Sequence, residues 1–279
     1  MKEQSIDSII DAALGEDMPQ GDITSESIIP VDSRSRAIIL AKESGILAGM
    51  DVARRVFEKI DPGVKFEKEK NDGQEFSKGE RLALLQGSSI SLLKGERTAL
   101  NFLQRMSGIA TTTGIFVQAL AGTETKILDT RKTTPGLREL EKYAVTMGGG
   151  QNHRRNLSEM ILIKDNHLKL VGSISEAVKR AKERVVPGIK VEVEATCLAE
   201  VQEAIRSGAD MVMLDNMQID KMREVVKWVK GKVPLEASGS VTLEKIKEIA
   251  ALGIDFISVG SLTHSYRSVD ISMEFLGEL

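Results

Sequence analysis

At 279 residues the chain is long for one ordinary domain and suits either one barrel or a barrel with a smaller partner. Hydrophobic residues at 41% and charged residues at 28% give a globular balance, and a net charge of −3 offers no global attraction for nucleic acid or an anionic membrane. Aromatics at 4% leave little for stacking on bases, and the single cysteine, Cys197, rules out an intramolecular disulfide and suits a reducing cytoplasm. The first residues, MKEQSIDSIIDAALGED, carry acidic side chains and no apolar signal core, so a cytoplasmic location is expected. Residues 106–123 are uncharged but broken by Gly, Gln and a Thr run, and read as a buried helix, not a membrane span.

The spacing of Ile6, Ile9, Ile10, Ala13 and Leu14 predicts a helix. Residues 34–48 carry β-type runs, AIILA and GILAG. Strand-like pieces over 64–86 are separated by the turn signals Asn71-Asp72-Gly73 and Lys78-Gly79. DGQEFSKGERLALLQG has the cadence of a biotinyl-type sandwich but no lysine at a hairpin tip with the usual flanks, so it reads as structural. Residues 91–120 read as helical, with a break expected near Ser107-Gly108.

Beyond Lys126 the texture changes. Short apolar runs recur as KILDT (126–130), MILIK (160–164), KVEVE (190–194), DMVMLD (210–215), PLEAS (234–238) and DFISVG (255–260). Amphipathic segments lie between the later ones, and several end in Gly, a helix stop. Continuous apolar runs alternating with helices predict a parallel sheet with helices outside. Polar residues cluster at or just after the last position of each run: 129–132, 164–167, Glu194, Asp215-Asn216, Ser238-Gly239 and Gly260. Chemistry at that end of all six strands builds one site at the mouth of a barrel, whereas an open sheet gathers it at one switch point.

Arg131, Lys132, His153, Arg154, Arg155 and Lys164 form a basic set that falls in two loops and one strand end. Arg grips carboxylates with a planar fork and Lys acts as a mobile point charge, so the set suits a dicarboxylate, or a carboxylate beside a pyrophosphate. A solvated basic face is the bland alternative. Glu194 and Asp215 end adjacent strands. They suit a magnesium ion held through water, sugar hydroxyls, or a cationic sugar ring in the transition state; pairing with the basic residues is the plainer reading. Glu192 alternates with Glu194, its direction open. Ser238-Gly239-Ser240 and Val259-Gly260-Ser261 follow the last two strands, where backbone N–H groups often cradle phosphate. Gly148-Gly149-Gly150 opens a flexible loop that matches neither a dinucleotide fingerprint nor a P-loop. Cys197 reads as a small buried residue, and Met211, Met213 and Met217 as core.

Taken together, GERTALN (95–101), DTRKTTPGLR (129–138), GGGQNHR (148–154), LIKDNH (162–167), VEVE (191–194), LDN (214–216), SGS (238–240) and VGSLTHS (259–265) resemble the quinolinate phosphoribosyltransferase family, in family order; GDITS (21–25) and GILAG (45–49) agree more loosely. The resemblance implies an α/β protein, with an incomplete six- to seven-stranded α/β barrel over 106–265 and an N-terminal α/β sandwich domain over 1–105, to which the tail 266–279 is expected to return. It implies phosphoribosyl transfer from phosphoribosyl pyrophosphate to quinolinate with loss of carbon dioxide, Mg2+ as cofactor, and a homodimer or higher homo-oligomer whose sites are shared across the interface. On the matching positions, Arg97 would reach quinolinate across that interface, and Arg131, His153 and Arg154 would grip its carboxylates. Lys132 and Lys164 would lie near substrate and pyrophosphate as catalytic groups. Glu194 and Asp215 would face ribose and magnesium, the metal contact being indirect. Ser238, Gly239, Ser240 and Gly260 would hold phosphate, with His264 in the matching THS. Asn156 and Ser240 depart from the expected glycine, and glycine or asparagine, at their positions. Three rivals stand beside this reading: a relative using another acceptor, a Schiff-base aldolase built on Lys164, and a non-catalytic phosphate binder.

Overall fold

The computed structural model describes residues 3–184 and 186–278, which form two compact units. The first takes in the described residues of Met1–Gly114, Thr133–Gly149 and Leu262–Leu279, and the second Ile115–Lys132 with Gly150–Ser261.

In chain order the first unit begins with helix α1 (Glu3–Asp17), α2 (Ile23–Ile28), strand β1 (Arg34–Ala41), β2 (Gly45–Ile46), α3 (Met50–Ile60), β3 (Lys65–Lys68), β4 (Glu75–Phe76) and β5 (Arg81–Ser88), then α4 (Ser89–Ala119). Asp22 caps α2 by accepting the main-chain N–H groups of Thr24 and Ser25 at 3.1 and 3.0 Å. Asp72, inside the expected turn, accepts from Gly49 and Met50 at the start of α3 at 2.9 and 3.0 Å. The turn signal therefore also serves as a helix cap supplied from a distance.

The expected break in α4 does not occur: the helix is continuous through Ser107-Gly108. Ser107 Oγ accepts from the Ala48 N–H at 3.1 Å, and a Cβ on Gly108 would stand 2.2 Å from the main-chain oxygen of Arg267. Small polar residues sit here because another backbone packs against the helix, not because the helix ends.

Helix α5 (Arg138–Met147) lies within the span expected to be barrel, yet 133–149 belongs to the first unit. Its charges explain this. Glu141 is fully buried and pairs with Arg105 of α4, and Tyr143 donates to Asp72 at 2.8 Å. A buried carboxylate needs such a partner, so α5 is tied to the unit that supplies it.

The second unit holds β6 (Lys126–Leu128), β7 (Ile161–Ile163), α6 (Asp165–Val171), α7 (Ile174–Arg184), β8 (Val191–Ala195), α8 (Leu198–Arg206), β9 (Met211–Asp215), α9 (Ile219–Val229), β10 (Leu235–Ser238), α10 (Leu243–Ala250) and β11 (Phe256–Ser258). All six strands are parallel, in the order β6-β11-β10-β9-β8-β7. Each step moves one strand along, and the last strand returns to pair with the first. That return is the mark of a barrel, with its seam between β6 and β7. At the seam Gln151 bridges Leu128, donating to Ile127 O at 2.8 Å and accepting from Asp129 N at 3.1 Å. One residue thus takes a seventh strand's place beside β6, the incomplete α/β barrel the sequence implies. Val191, Val193, Val212, Leu214, Ala237 and Ile257 are buried, as runs covered on both faces require. Met211, Met213 and Met217 are buried too.

After the short helix α11 (Ser261–His264) the chain returns to the first unit as β12 (Ile271–Glu278), giving a sheet in the order β12-β1-β5-β3. No helix among the described residues is long and apolar enough to cross a membrane.

Candidate active site

The carboxyl ends of the barrel strands carry the polar residues of the second unit. Alternation on β8 turns Glu192 and Glu194 to one side, and on β10 it turns Glu236 and Ser238 likewise. Glu192 and Glu236 are wholly buried although β9 lies between their strands. A flat sheet would hold those strands about 9.6 Å apart. Their side chains nevertheless converge with His153, the three ligand-type atoms lying within 4.8 Å of one another, as the inside of a curved sheet allows.

Burial pushes both carboxyl groups up, Glu192 to about 7, while Glu236, repelled in addition by Glu192, rises to about 8. Ser258 Oγ donates to Glu236 Oε1. Asp129, fully buried at the end of β6, accepts the His153 main-chain N–H at 2.9 Å. The seam bridge at Gln151 and this bond together deliver residues 153 and 154 to the barrel mouth.

Arg154 is half-buried, and its Nη1 donates to Met160 O at 2.9 Å. Burial and then the nearby Arg131 hold its guanidinium below the usual arginine range, with Glu192 opposing. Arg131 is exposed, and two guanidinium groups near enough to repel each other favour an anion beside them. Lys132 is exposed in the same segment, and its N–H donates to Thr130 Oγ1 at 3.0 Å.

Lys164 Nζ lies 2.7 Å from Glu194 Oε2, so the strand-end lysine and acid form an ion pair at the mouth. A carboxylate at that distance is unlike the apolar pocket that a Schiff-base lysine needs. His167 steadies the same strand end by accepting the Lys164 main-chain N–H at 2.8 Å. Asp215 is half-buried and accepts from Asn216 Nδ2 at 3.1 Å.

Asn216, Gly239 and Ser240 all have left-handed backbone, with φ of 48°, 91° and 47°. The Asn216 N–H donates to Ser238 O at 2.9 Å, tying the two loops together. A Cβ on Gly239 would meet the Asn216 side chain, so glycine is required by conformation and by space. Gly260 follows β11 and is half-buried.

Asn156 is exposed, and its Oδ1 accepts the Ser158 N–H at 2.8 Å, closing a local turn. Arg155 is exposed and donates its main-chain N–H to Glu159 at 2.6 Å. Cys197 is half-buried at the start of α8, not buried as expected, because the N-cap position is exposed to the helix end. The second unit thus carries Arg131, Lys132, Lys164, Glu194, Asp215, Ser238, Gly239, Ser240 and Gly260 at strand ends or in the loops after them, and His153 and Arg154 in the segment before β7. Arg97 and His264 belong to the first unit, both exposed: Arg97 on α4, His264 closing α11 with Nδ1 2.6 Å from Ser265 Oγ.

Sequence reasoning left out Glu236, Ser258 and the inward turn of Glu192. Their only signal was a period of two. Each glutamate stands two positions before a strand-end polar residue, and so shares its face. Among the described residues, His153, Glu192 and Glu236 bring three ligand-type atoms close enough to hold an ion.

Two family models match the chain: the quinolinate phosphoribosyl transferase N-terminal domain over residues 22–107 and the C-terminal domain over 109–274. A relative from Bacillus subtilis, named "Probable nicotinate-nucleotide pyrophosphorylase [carboxylating]", is 46% identical over 93% of this chain and 89% of its own. One of the same name from Synechocystis is 41% identical over 97% and 92%. The crystal structure of NadC from Streptococcus pyogenes superposes with a TM-score of 0.97 at 42% identity, covering 100% of this chain and 99% of that one.

Proposed function

The chain belongs to the quinolinate phosphoribosyl transferase family, and from that premise we propose how it joins quinolinate to the phosphoribosyl group of phosphoribosyl pyrophosphate. The products are nicotinate mononucleotide, pyrophosphate and carbon dioxide, in NAD biosynthesis. The observation that carries the reading is the Lys164–Glu194 ion pair, at 2.7 Å, at the strand ends of a barrel whose loops also hold Arg131 and Arg154.

Arg131 and Arg154 receive the two acceptor carboxylates, and Lys132 and Lys164 add positive charge where substrate and pyrophosphate meet. The turn at Ser238, Gly239 and Ser240, with Gly260, offers main-chain N–H groups to phosphate. As the bond from ribose C1 to the pyrophosphate oxygen breaks, the ring gains positive charge, which Glu194 and Asp215 stabilise. The pyridine nitrogen takes the vacated position on C1. The resulting ring cation stabilises the electron pair left when carbon dioxide departs, and that carbon then takes a proton. The protein's work is placement and charge.

Glu194 and Asp215, at the ends of the adjacent strands β8 and β9, suit magnesium by type, being hard oxygen donors that would hold it directly or through water and substrate. When bound, Mg2+ neutralises the leaving pyrophosphate. Arg97, exposed on α4, acts toward the acceptor of a second subunit in a homodimer or larger homo-oligomer, and His264 is the histidine of the matching THS. The cysteine usage and charge favour the cytoplasm.

Purified protein given quinolinate, phosphoribosyl pyrophosphate and magnesium is expected to release nicotinate mononucleotide, with nicotinic acid as the poor acceptor. Product from nicotinic acid alone would keep the reaction and overturn the acceptor. No product from either, or undiminished turnover in EDTA, would remove the activity or the metal from this account.

A further inference from the structure

His153 has little left to offer a ligand. Its side chain is 8% exposed, and both ring nitrogens are engaged inside the protein. The Arg154 main-chain N–H donates to Nδ1 at 2.8 Å, so Nδ1 is the unprotonated nitrogen and the ring proton sits on Nε2. Nε2 lies 3.0 Å from Glu192 Oε2 and 3.5 Å from Glu236 Oε2. Its own main-chain N–H goes to Asp129.

The ring therefore spans two things: a pair of buried acids in the barrel interior and the backbone of the arginine that faces the anion site. Glu192 is held by β8, whose register with β7 and β9 fixes its depth: Leu162 lies opposite Glu192 on one side and Met211 on the other. Glu236 is held by β10 and by Ser258 of β11. Five strands thus determine where Nε2 points. One covalent link and one hydrogen bond later, they determine where the Arg154 N–H points. Glu192 also attracts the Arg154 guanidinium through space.

The geometry points to Glu192, Glu236 and His153 as positioning residues: the two acids hold the imidazole in its Nε2–H form, and the imidazole aims Arg154 at the acceptor's carboxylate. This revises the part that the family resemblance gives His153, from gripping a substrate carboxylate to setting the group that does. It rests on the function proposed above.

The test combines NMR of the full chain with kinetics. The chain has three histidines, so selective 15N labelling of histidine gives a spectrum that H153Q assigns by subtraction. His153 should show a protonated Nε2 and an unprotonated Nδ1, unchanged when quinolinate is added. E192Q keeps an acceptor oxygen for Nε2–H, so it should keep that signature and a KM for quinolinate within about threefold of the wild type. E192L removes the acceptor; the signature should be lost and the KM for quinolinate should rise about tenfold or more, with kcat and the KM for phosphoribosyl pyrophosphate within about threefold.

A proton on Nδ1 or a bare Nε2 would overturn the assignment. So would a large change at Nε2 on adding quinolinate, or an unaltered KM in E192L. A merely structural role would lower stability without the split between the two substrates. Should E192L fail to fold, the wild-type and E192Q spectra still decide. Were quinolinate not turned over at all, the proposed function would fall, while the position of the ring proton would be read independently of it.

Discussion

Gly239 and Asn216 face each other at the ends of adjacent strands so closely that a Cβ on the glycine would stand 2.4 Å from the asparagine Cγ. The same glycine has φ of 91°, a conformation that costs a side chain about 1–3 kcal/mol. Gly239→Ala should therefore shift Asn216 or flatten the turn proposed to present N–H groups to phosphate. The expected result is a KM for phosphoribosyl pyrophosphate raised about tenfold or more, with the barrel still folded by circular dichroism. A KM within about twofold of the wild type would show that the turn does not meet phosphate.

Gly108 tests the packing of the first unit without touching the barrel strand ends. Its Cβ would lie 2.2 Å from Arg267 O, a backbone atom that cannot swing aside. Gly108→Ala gains helix propensity but should still lose about 1–3 kcal/mol from overpacking. Calorimetry should show the melting temperature lowered by several degrees; a stabilised variant would mean that the helix and the 267–268 segment part easily.

The Lys164–Glu194 pair, at 2.7 Å, is exposed on the lysine side. As an ion pair open to solvent on one side it would matter little to stability, so substitutions here test the proposed catalytic role. Lys164→Met and Glu194→Gln should each lower kcat/KM by about 10²–10³-fold while the melting temperature moves by only a degree or two. The double variant should fall well short of the product of the two losses, because each single change already breaks the pair. Full multiplicative loss would show that the two groups act independently.

Glu236 provides a test by pH. Its folded carboxyl is pushed up to about 8 from an ordinary 4.5, so between those values the folded chain holds a proton that the unfolded chain has released. Stability from this group is present below about pH 4.5 and is lost as pH rises toward 8. Glu236→Gln carries no such proton. Relative to it, the wild type should lose stability steadily between pH 5 and 8, read as a divergence of melting temperatures. Parallel curves would mean that Glu236 is ionised in the folded chain throughout.

Much of this was legible in the sequence. Buried parallel strands must be apolar along their whole length, so KILDT, MILIK, KVEVE, DMVMLD, PLEAS and DFISVG announced themselves, and the polar residues that close them marked the mouth. What stayed hidden depended on partners far along the chain. Ser107-Gly108 has the chemistry of a helix break, and only the backbone at Arg267 shows it to be a contact. Glu236 in PLEAS reads as one acid in an apolar run, and only the curvature that brings β8 and β10 together gives it His153 and Glu192 as neighbours. Residues 133–149 follow the first barrel strand in order but answer to Arg105 and Asp72, a preference that chain order does not carry.

The return of β12 to β1 has a consequence for how the protein is made. Translation delivers β1, β5 and β3 first, then the whole barrel, and only afterwards the strand that covers the open side of β1. Until residues 271–278 leave the ribosome, the apolar run AIILA lies in an uncovered edge strand, a template for pairing with a neighbouring nascent chain. A message cut short after the barrel would release a product with all six parallel strands and an exposed adhesive edge. For this protein a late stop codon is therefore a hazard of aggregation even though every barrel strand has been made.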